Sequence, residues 1–414
     1  FSKTDYLKRF LDENANELEA LPLGWGLAAR FTDVNRDGFQ DLYVCNDLFT
    51  PDRFWINDGT GRFKAIPKLA LRNTSTFSMG VDFSDIDRDG DWDFFVVDML
   101  SRDHDMRHLQ VSELIDTNEP QSLLLSRPQF SRNTLQVNRG DNTFAEIAQY
   151  SNVEASEWSW GPIFLDVDLD GNEDILVTNG QLRDFQNADM TAQIDAEKNA
   201  KGLTQSQILK LMSRFPDLRT PNVAFRNNGD GTFTDFSEAW GFDQPGISQG
   251  MALADLDNDG DMDLVVMGQD EGGPSMKLYR NDLGSFADVS AGFMGLARGS
   301  VSWGDMDNDG DLDLIAMGLT DVEDSPGSAV TFLYQNSEGN FSQVDHGITG
   351  LAYGSTDWAD VNNDGRLDLF VMGVNQESVF QTLIYLNGES VSRTESENNR
   401  NSDKSGLALS AVTI

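Results

Sequence analysis

The sequence predicts an all-β fold, a β-propeller of four-stranded blades. Three observations carry that expectation. A nonapeptide, D-x-[DN]-x-D-G-x-x-D, recurs six times along the 414 residues. Each copy is followed by a short apolar run, and a second turn-bearing hairpin pattern follows five of the six. Two hairpins make four strands per repeat of about 50 residues, which is the size of a propeller blade.

The acidic copies read DVNRDGFQD from Asp33, DIDRDGDWD from Asp85, DVDLDGNED from Asp166, DLDNDGDMD from Asp255, DMDNDGDLD from Asp305 and DVNNDGRLD from Asp360. Their starts are separated by 52, 81, 89, 50 and 55 residues, so two of the gaps carry an extra segment. Upstream of each lies a stretch of small and aromatic residues, for example GLAARFT, QGMALA and GSVSWG. Downstream come DLYVCN, DFFVVD, DILVTN, DLVVMG, DLIAMG and DLFVMG. Runs of that length, rich in Val, Ile and Phe, read as buried strands. The second pattern, FWINDGTGRF, LQVNRGDNTF, FRNNGDGTF, LYRNDLGSF and LYQNSEGNF, reads as strand, Asn/Gly turn and returning strand.

The domain reading follows. Residues 24–388 form the propeller; residues 1–23 are a helical excursion or the remnant of a preceding blade. Extra segments at about 101–130 and 183–220 are helical inserts, the second with Ile208, Leu211, Met212 and Phe215 at helical spacing and Pro216 as the stop. Residues 389–414 read as a polar linker or disordered tail. Six repeats are countable, and seven blades are expected if a terminal blade is missing.

Composition excludes several roles. Lys and Arg number 30 against 69 Asp and Glu, a formal charge of −39. Such a chain is not built to bind nucleic acid or anionic lipid, and it has no run of about 18 apolar residues to insert in a membrane. Its single cysteine, Cys45, makes no intrachain disulfide and reads as a small core residue.

The acidic loops carry the chemistry. Calcium takes six to eight oxygens at about 2.3–2.6 Å. A tight turn with glycine at position 6 folds positions 1, 3 and 5 around one point. Position 7 then offers its backbone carbonyl, and the Asp at position 9 completes the shell. The candidate ligands are therefore Asp33, Asn35, Asp37, Phe39 and Asp41; Asp85, Asp87, Asp89, Asp91 and Asp93; Asp166, Asp168, Asp170, Asn172 and Asp174. In the second half they are Asp255, Asp257, Asp259, Asp261 and Asp263; Asp305, Asp307, Asp309, Asp311 and Asp313; Asp360, Asn362, Asp364, Arg366 and Asp368. Up to six Ca²⁺ are expected. Two carboxylates about 5 Å apart repel by roughly 3 kcal/mol at an effective dielectric near 20, so each loop calls for a cation. An EF-hand is excluded, because position 12 is Val44, Val96, Val177, Val266, Ala316 or Val371 instead of a bidentate Glu. Affinities near 10⁻⁴–10⁻³ M, as in extracellular modules, favour an extracellular, cell-surface or periplasmic home.

The loops and their flanks resemble FG-GAP/VCBS repeats, the blades of integrin-α-like propellers, over roughly residues 24–388. Segments 74–107 and 223–241 further resemble exported proteins of the ASPIC/UnbV group, relatives of cartilage acidic protein. That resemblance implies an adhesion or ligand-binding module that takes a protein or glycan on its rim loops, as one part of a longer chain with further domains. It also leaves open a polysaccharide lyase or hydrolase, or a structural spacer.

Two further features stand out. His104 and His108 lie four apart in SRDHDMRH and would share a helix face, as a transition-metal pair or as part of a solvated segment. Trp25, Trp160, Trp303 and Trp358 precede acidic loops, where they pack between blades or stack on sugar rings. His346 sits near a turn and reads as structural. No G-x-S-x-G, Walker or H-E-x-x-H motif occurs.

Overall fold

A computed structural model describes residues 10–18, 26–48, 50–60, 62–110, 127–201, 205–257, 259–270, 272–323, 325–359, 365–387 and 409–413. The chain is a six-bladed β-propeller with four-stranded antiparallel blades. It divides into two compact units at the bond between Ile247 and Ser248.

In the first unit, blade 1 is built from Gly26–Thr32, Asp41–Asn46, Arg53–Asn57 and Phe63–Ala65. Blade 2 uses Gly80–Ser84, Asp93–Val97, Thr134–Asn138 and Phe144–Glu146, and blade 3 uses Ser159–Leu165, Asp174–Asn179, Val223–Asn227 and Phe233–Asp235. The second unit holds, apart from the Ile247 at its start, blade 4 (Ile247–Ala254, Asp263–Asp270, Gly273–Asn281, Phe286–Asp288) and blade 5 (Ala297–Gly304, Asp313–Leu319, Ala329–Ser337, Asn340–Val344). Blade 6 comprises Leu351–Ala359, Asp368–Asn375, Phe380–Asn387 and Leu409–Thr413.

Each acidic nonapeptide joins the first two strands of its blade, and the second strand is the apolar run. That strand is buried along its whole length in Asp93–Val97, Asp174–Asn179 and Asp313–Leu319. Burial on both sides of a sheet explains why these runs are continuously apolar instead of alternating. The small residues of the first strands have a related cause. A Cβ on Gly80 of blade 2 would lie 2.8 Å from the Trp160 carbonyl of blade 3, and one on Gly304 of blade 5 would lie 2.6 Å from the Trp358 ring of blade 6. Neighbouring sheets approach too closely there for a side chain.

Tryptophan fills the complementary space. Trp160 packs against Phe77, Met99 and Trp158, and its indole N–H donates to the Gly180 carbonyl at 2.6 Å. Trp303 lies 5.8 Å from the Phe341 ring, and Trp358 joins the core of blades 5 and 6. These three rings are half-buried packing elements; Trp25 lies outside the described residues. Cys45 is fully buried among Tyr43, Phe54 and Phe94.

Two segments differ from the sequence expectation. Phe10–Leu11 is not helical: it forms a short fifth strand of blade 1, parallel to Phe63–Ala65, because Phe10 stacks on Phe63 and meets Trp55 edge-on. Leu409–Thr413 is not a loose tail: it pairs with Leu383–Asn387 as the outer strand of blade 6, using the one apolar stretch of an otherwise polar segment. The described residues form six blades, one for each countable repeat.

Both inserts contain helix. The first gives α1 (His104–Leu109), and residues 111–126 lie outside the described set. The second gives α2 (Ala188–Lys201) and α3 (Gln205–Met212), with Ile194 and Phe215 buried. The chain turns at Phe215, where the Phe185 ring meets it edge-on, ahead of Pro216.

A buried carboxyl links blades 1 and 2. Asp52 accepts from the Asn46 backbone N–H at 2.8 Å, the Tyr43 hydroxyl at 2.7 Å and the Ser78 hydroxyl at 2.8 Å. Burial pushes its pKa up to about 7, against those donors. The folded carboxyl keeps its proton to higher pH than the unfolded one. Its contribution to stability is therefore present below about pH 4 and lost as pH rises through about 7. Urea denaturation in saturating calcium at pH 5 and pH 8 should show that fall, and Asp52→Asn should flatten it. Asp52→Ala, which strands three donors, should cost on the order of 3 kcal/mol at pH 5.

Candidate metal centres

The loops share one backbone scheme. Glycine at position 6 adopts a left-handed conformation in all six, with φ from 84° to 96°. That allows its N–H to reach back to the Asp at position 1: Gly38 to Asp33 (2.8 Å), Gly90 to Asp85 (3.0 Å), Gly171 to Asp166 (2.7 Å), Gly260 to Asp255 (3.3 Å) and Gly310 to Asp305 (3.1 Å). The carboxylate at position 5 then accepts from the N–H at position 7, as in Asp37 with Phe39, Asp89 with Asp91, Asp170 with Asn172, Asp259 with Asp261 and Asp309 with Asp311.

Position 9 has a role that the spacing alone did not reveal. Asp41, Asp93, Asp174, Asp263, Asp313 and Asp368 are all at most 3% exposed. In the first five, Oδ2 accepts from the backbone N–H at position 2, at 2.9–3.1 Å. In all six, Oδ1 accepts from the backbone N–H of an asparagine at the end of the third strand: Asn57, Asn138, Asn227, Asn281, Asn336 and Asn387. One carboxylate thus ties the acidic loop to the second hairpin. The asparagine side chain closes that hairpin, its Oδ1 accepting from a turn glycine N–H in blades 1 to 5. The sequence signal was present as the Asn of the second hairpin pattern, but its partner lies 16 to 53 residues upstream.

In four loops the carboxylates converge. Asp85, Asp87 and Asp93 bring one oxygen each within 4.8 Å of one another, as do Asp166, Asp168 and Asp174; Asp255, Asp257 and Asp259; and Asp305, Asp307 and Asp313. In the first loop Asp33, Asp37 and Asp41 do not converge in this way; there Asn35 donates to Asp37 at 3.0 Å. In the sixth, Asp360, Asn362 and Asp364 lie outside the described residues, while Arg366 and Asp368 are described. Position 7 is put to another use in two blades: the Asp261 and Asp311 carboxylates accept from the Leu283 and Glu338 N–H groups of the second hairpin, at 2.7 and 2.8 Å.

The donor set fits a hard cation. The Oδ1 atoms of Asp85, Asp166 and Asp255, the same position in three loops, are buried without a hydrogen-bond partner, as is Oδ1 of Asp168. A buried carboxylate oxygen without a donor is costly, and a cation supplies the missing partner. Burial pushes the pKa of Asp93 and Asp174 up to about 7 and of Asp41 and Asp313 up to about 6. Neighbouring loop carboxylates add to the rise.

The residue just before the third-strand asparagine tunes individual loops. In blade 3 Arg226 lies between two carboxylates, Nε to Asp168 Oδ2 and Nη2 to Asp170 Oδ2, each at 2.6 Å. In blade 5 Gln335 Nε2 donates to Asp307 Oδ2 at 2.5 Å. The third loop therefore carries a built-in cation on its outer oxygens.

A sequence profile for FG-GAP-like repeats matches residues 33–96, 123–177, 215–266 and 255–316, just over half of the chain. The chain belongs to the FG-GAP-like repeat family. Its matched segments carry the acidic loops of blades 1 to 5 and the second hairpins of blades 1 to 4. No curated protein matches the sequence. Among solved structures, an Agrocybe aegerita lectin that recognises non-reducing terminal N-acetylglucosamine is 14% identical, over 93% of this chain and 80% of that one, with a TM-score of 0.47. The Aleuria aurantia lectin, a six-bladed β-propeller that recognises fucose, is 9% identical over 91% of this chain and 90% of that one, with a TM-score of 0.41.

Removing the internal cation of this FG-GAP-like protein should make blade 3 more dependent on metal. Arg226→Gln should lower the melting temperature in EGTA by an amount equivalent to about 1 kcal/mol, given a half-exposed pair, and by less in millimolar calcium. Differential scanning calorimetry in the two buffers measures both shifts.

Proposed function

We propose that the chain is a calcium-stabilised, extracellular ligand-binding or adhesion module. The observation that carries this reading is the convergence of three carboxylates in four loops, three of which hold a buried, unpartnered oxygen at position 1. Asp85, Asp87 and Asp93, their counterparts in blades 3 and 5, and Asp255, Asp257 and Asp259 would hold the ions. The donors are all oxygens, and calcium tolerates the many-ligand, flexible shell that a hairpin loop offers, whereas magnesium keeps its waters. Metal would neutralise the loops and fix the hairpins that frame each blade.

Recognition would fall to the loops and to the two helical inserts, where a repeat scaffold can vary without disturbing its stacking. The ligand class is a protein or a glycan. An extracellular home agrees with the weak calcium affinity expected of such loops, because submicromolar cytosolic calcium would leave them largely empty. The resemblance of segments 74–107 and 223–241 to the ASPIC/UnbV group supports the same assignment, as does the likeness of the repeats to integrin-α blades. Among the described residues, no helix is long and apolar enough to cross a membrane.

Equilibrium dialysis against millimolar ⁴⁵Ca should find at least four ions per chain, and Asp307→Ala should remove about one. Glycan and protein arrays probed with the calcium-loaded chain should then give hits that vanish in EGTA. A chain without bound calcium would overturn the metal reading. A calcium-loaded chain with no hit on either array would leave a structural spacer in its place.

A further inference from the structure

Outside the acidic loops, one pair of side chains brings two nitrogen donors close together on the surface. On α1 the imidazoles of His104 and His108 meet edge to face across one helical turn, with a hydrogen bond between their Nε2 atoms at 3.2 Å and ring centroids 4.6 Å apart. We propose that this pair is a two-nitrogen site for a divalent transition ion of the nickel, copper and zinc group, separate from the calcium loops. With metal–nitrogen bonds of about 2.05 Å, that separation corresponds to an angle at the metal of about 103°, between the square and tetrahedral values. Imidazole suits these metals, whereas calcium selects oxygen and does not compete.

The helix is held for the purpose by more than its own turn. Asp103 caps it by accepting from the Met106 N–H at 2.9 Å. Arg107 Nε donates to the Ser101 carbonyl at 2.5 Å, and its guanidinium pairs with Glu154 at 3.4 Å. Gln110 Nε2 donates to the Met99 carbonyl at 2.8 Å. Glu157 accepts from the Ser101 hydroxyl and the Arg102 N–H at 2.7 and 2.9 Å. Both histidines are exposed, so water completes the shell and the ion enters freely. Asp105 is exposed beside them, and the net charge of −39 raises the local concentration of cations.

The test is electron paramagnetic resonance of the full chain with one equivalent of Cu²⁺, in millimolar Ca²⁺ to keep the loops filled. The expected spectrum shows hyperfine splitting from two nitrogens. His104→Ala and His108→Ala should each reduce it to one nitrogen and weaken Cu²⁺ binding by at least roughly tenfold, since the second donor acts at high effective concentration. Alanine keeps the helix, so the calcium-dependent melt of the double variant should match that of the parent. Oxygen-only coordination in the parent, or parental Cu²⁺ affinity in the double variant, would overturn the proposal.

Discussion

Everything in this molecule turns on placing several carboxylates in a nine-residue loop without letting their repulsion open it. Three of them converge within 4.8 Å in four of the loops. The protein divides the work among them. Position 1 receives the glycine N–H, position 5 receives the next N–H, and position 9 is buried with two backbone donors. What these donors leave over is a set of inward oxygens, among them the unpartnered Oδ1 of Asp85, Asp166 and Asp255. Backbone hydrogen bonds shape the loop, and the charge that remains suits it to hold a cation.

The buried Asp at position 9 transmits that local arrangement to the blade. Its two oxygens join the start of the loop to the end of the third strand, so the two hairpins of a blade are registered against each other at one point. In places the link continues into the next blade. Asn227 Nδ2 donates to the Ile86 carbonyl at 3.2 Å, and Asn387 Nδ2 to the Met306 carbonyl at 2.6 Å. Both carbonyls belong to position 2 of the neighbouring loop. Loop geometry and blade packing are thereby coupled within each unit, so an ion held in a loop would act on the core of apolar strands.

Much of this was legible because a repeat multiplies weak local signals. The hairpin around each acidic loop, the buried second strand and the left-handed glycine followed from six copies read together. The Asp–Asn link was not legible, because it joins residues as far apart as Asp174 and Asn227 and each looks like an ordinary loop or turn residue alone. The edge strands failed for a different reason. Phe10–Leu11 and Leu409–Thr413 are short, and their strand character comes from the partner they pair with, not from their own pattern. Arg226 was invisible as a partner of the third acidic loop because its relation to Asp168 and Asp170 exists only once the third strand lies beside the loop.

The central claim is that calcium stabilises the fold through these loops. A thermal melt of the chain in excess EGTA, in millimolar Ca²⁺ and in millimolar Mg²⁺ tests it most directly. The account predicts a large rise in melting temperature with calcium and little with magnesium. Identical melts in all three buffers, with calcium absent by elemental analysis, would contradict it and mark the acidic loops as solvated turns.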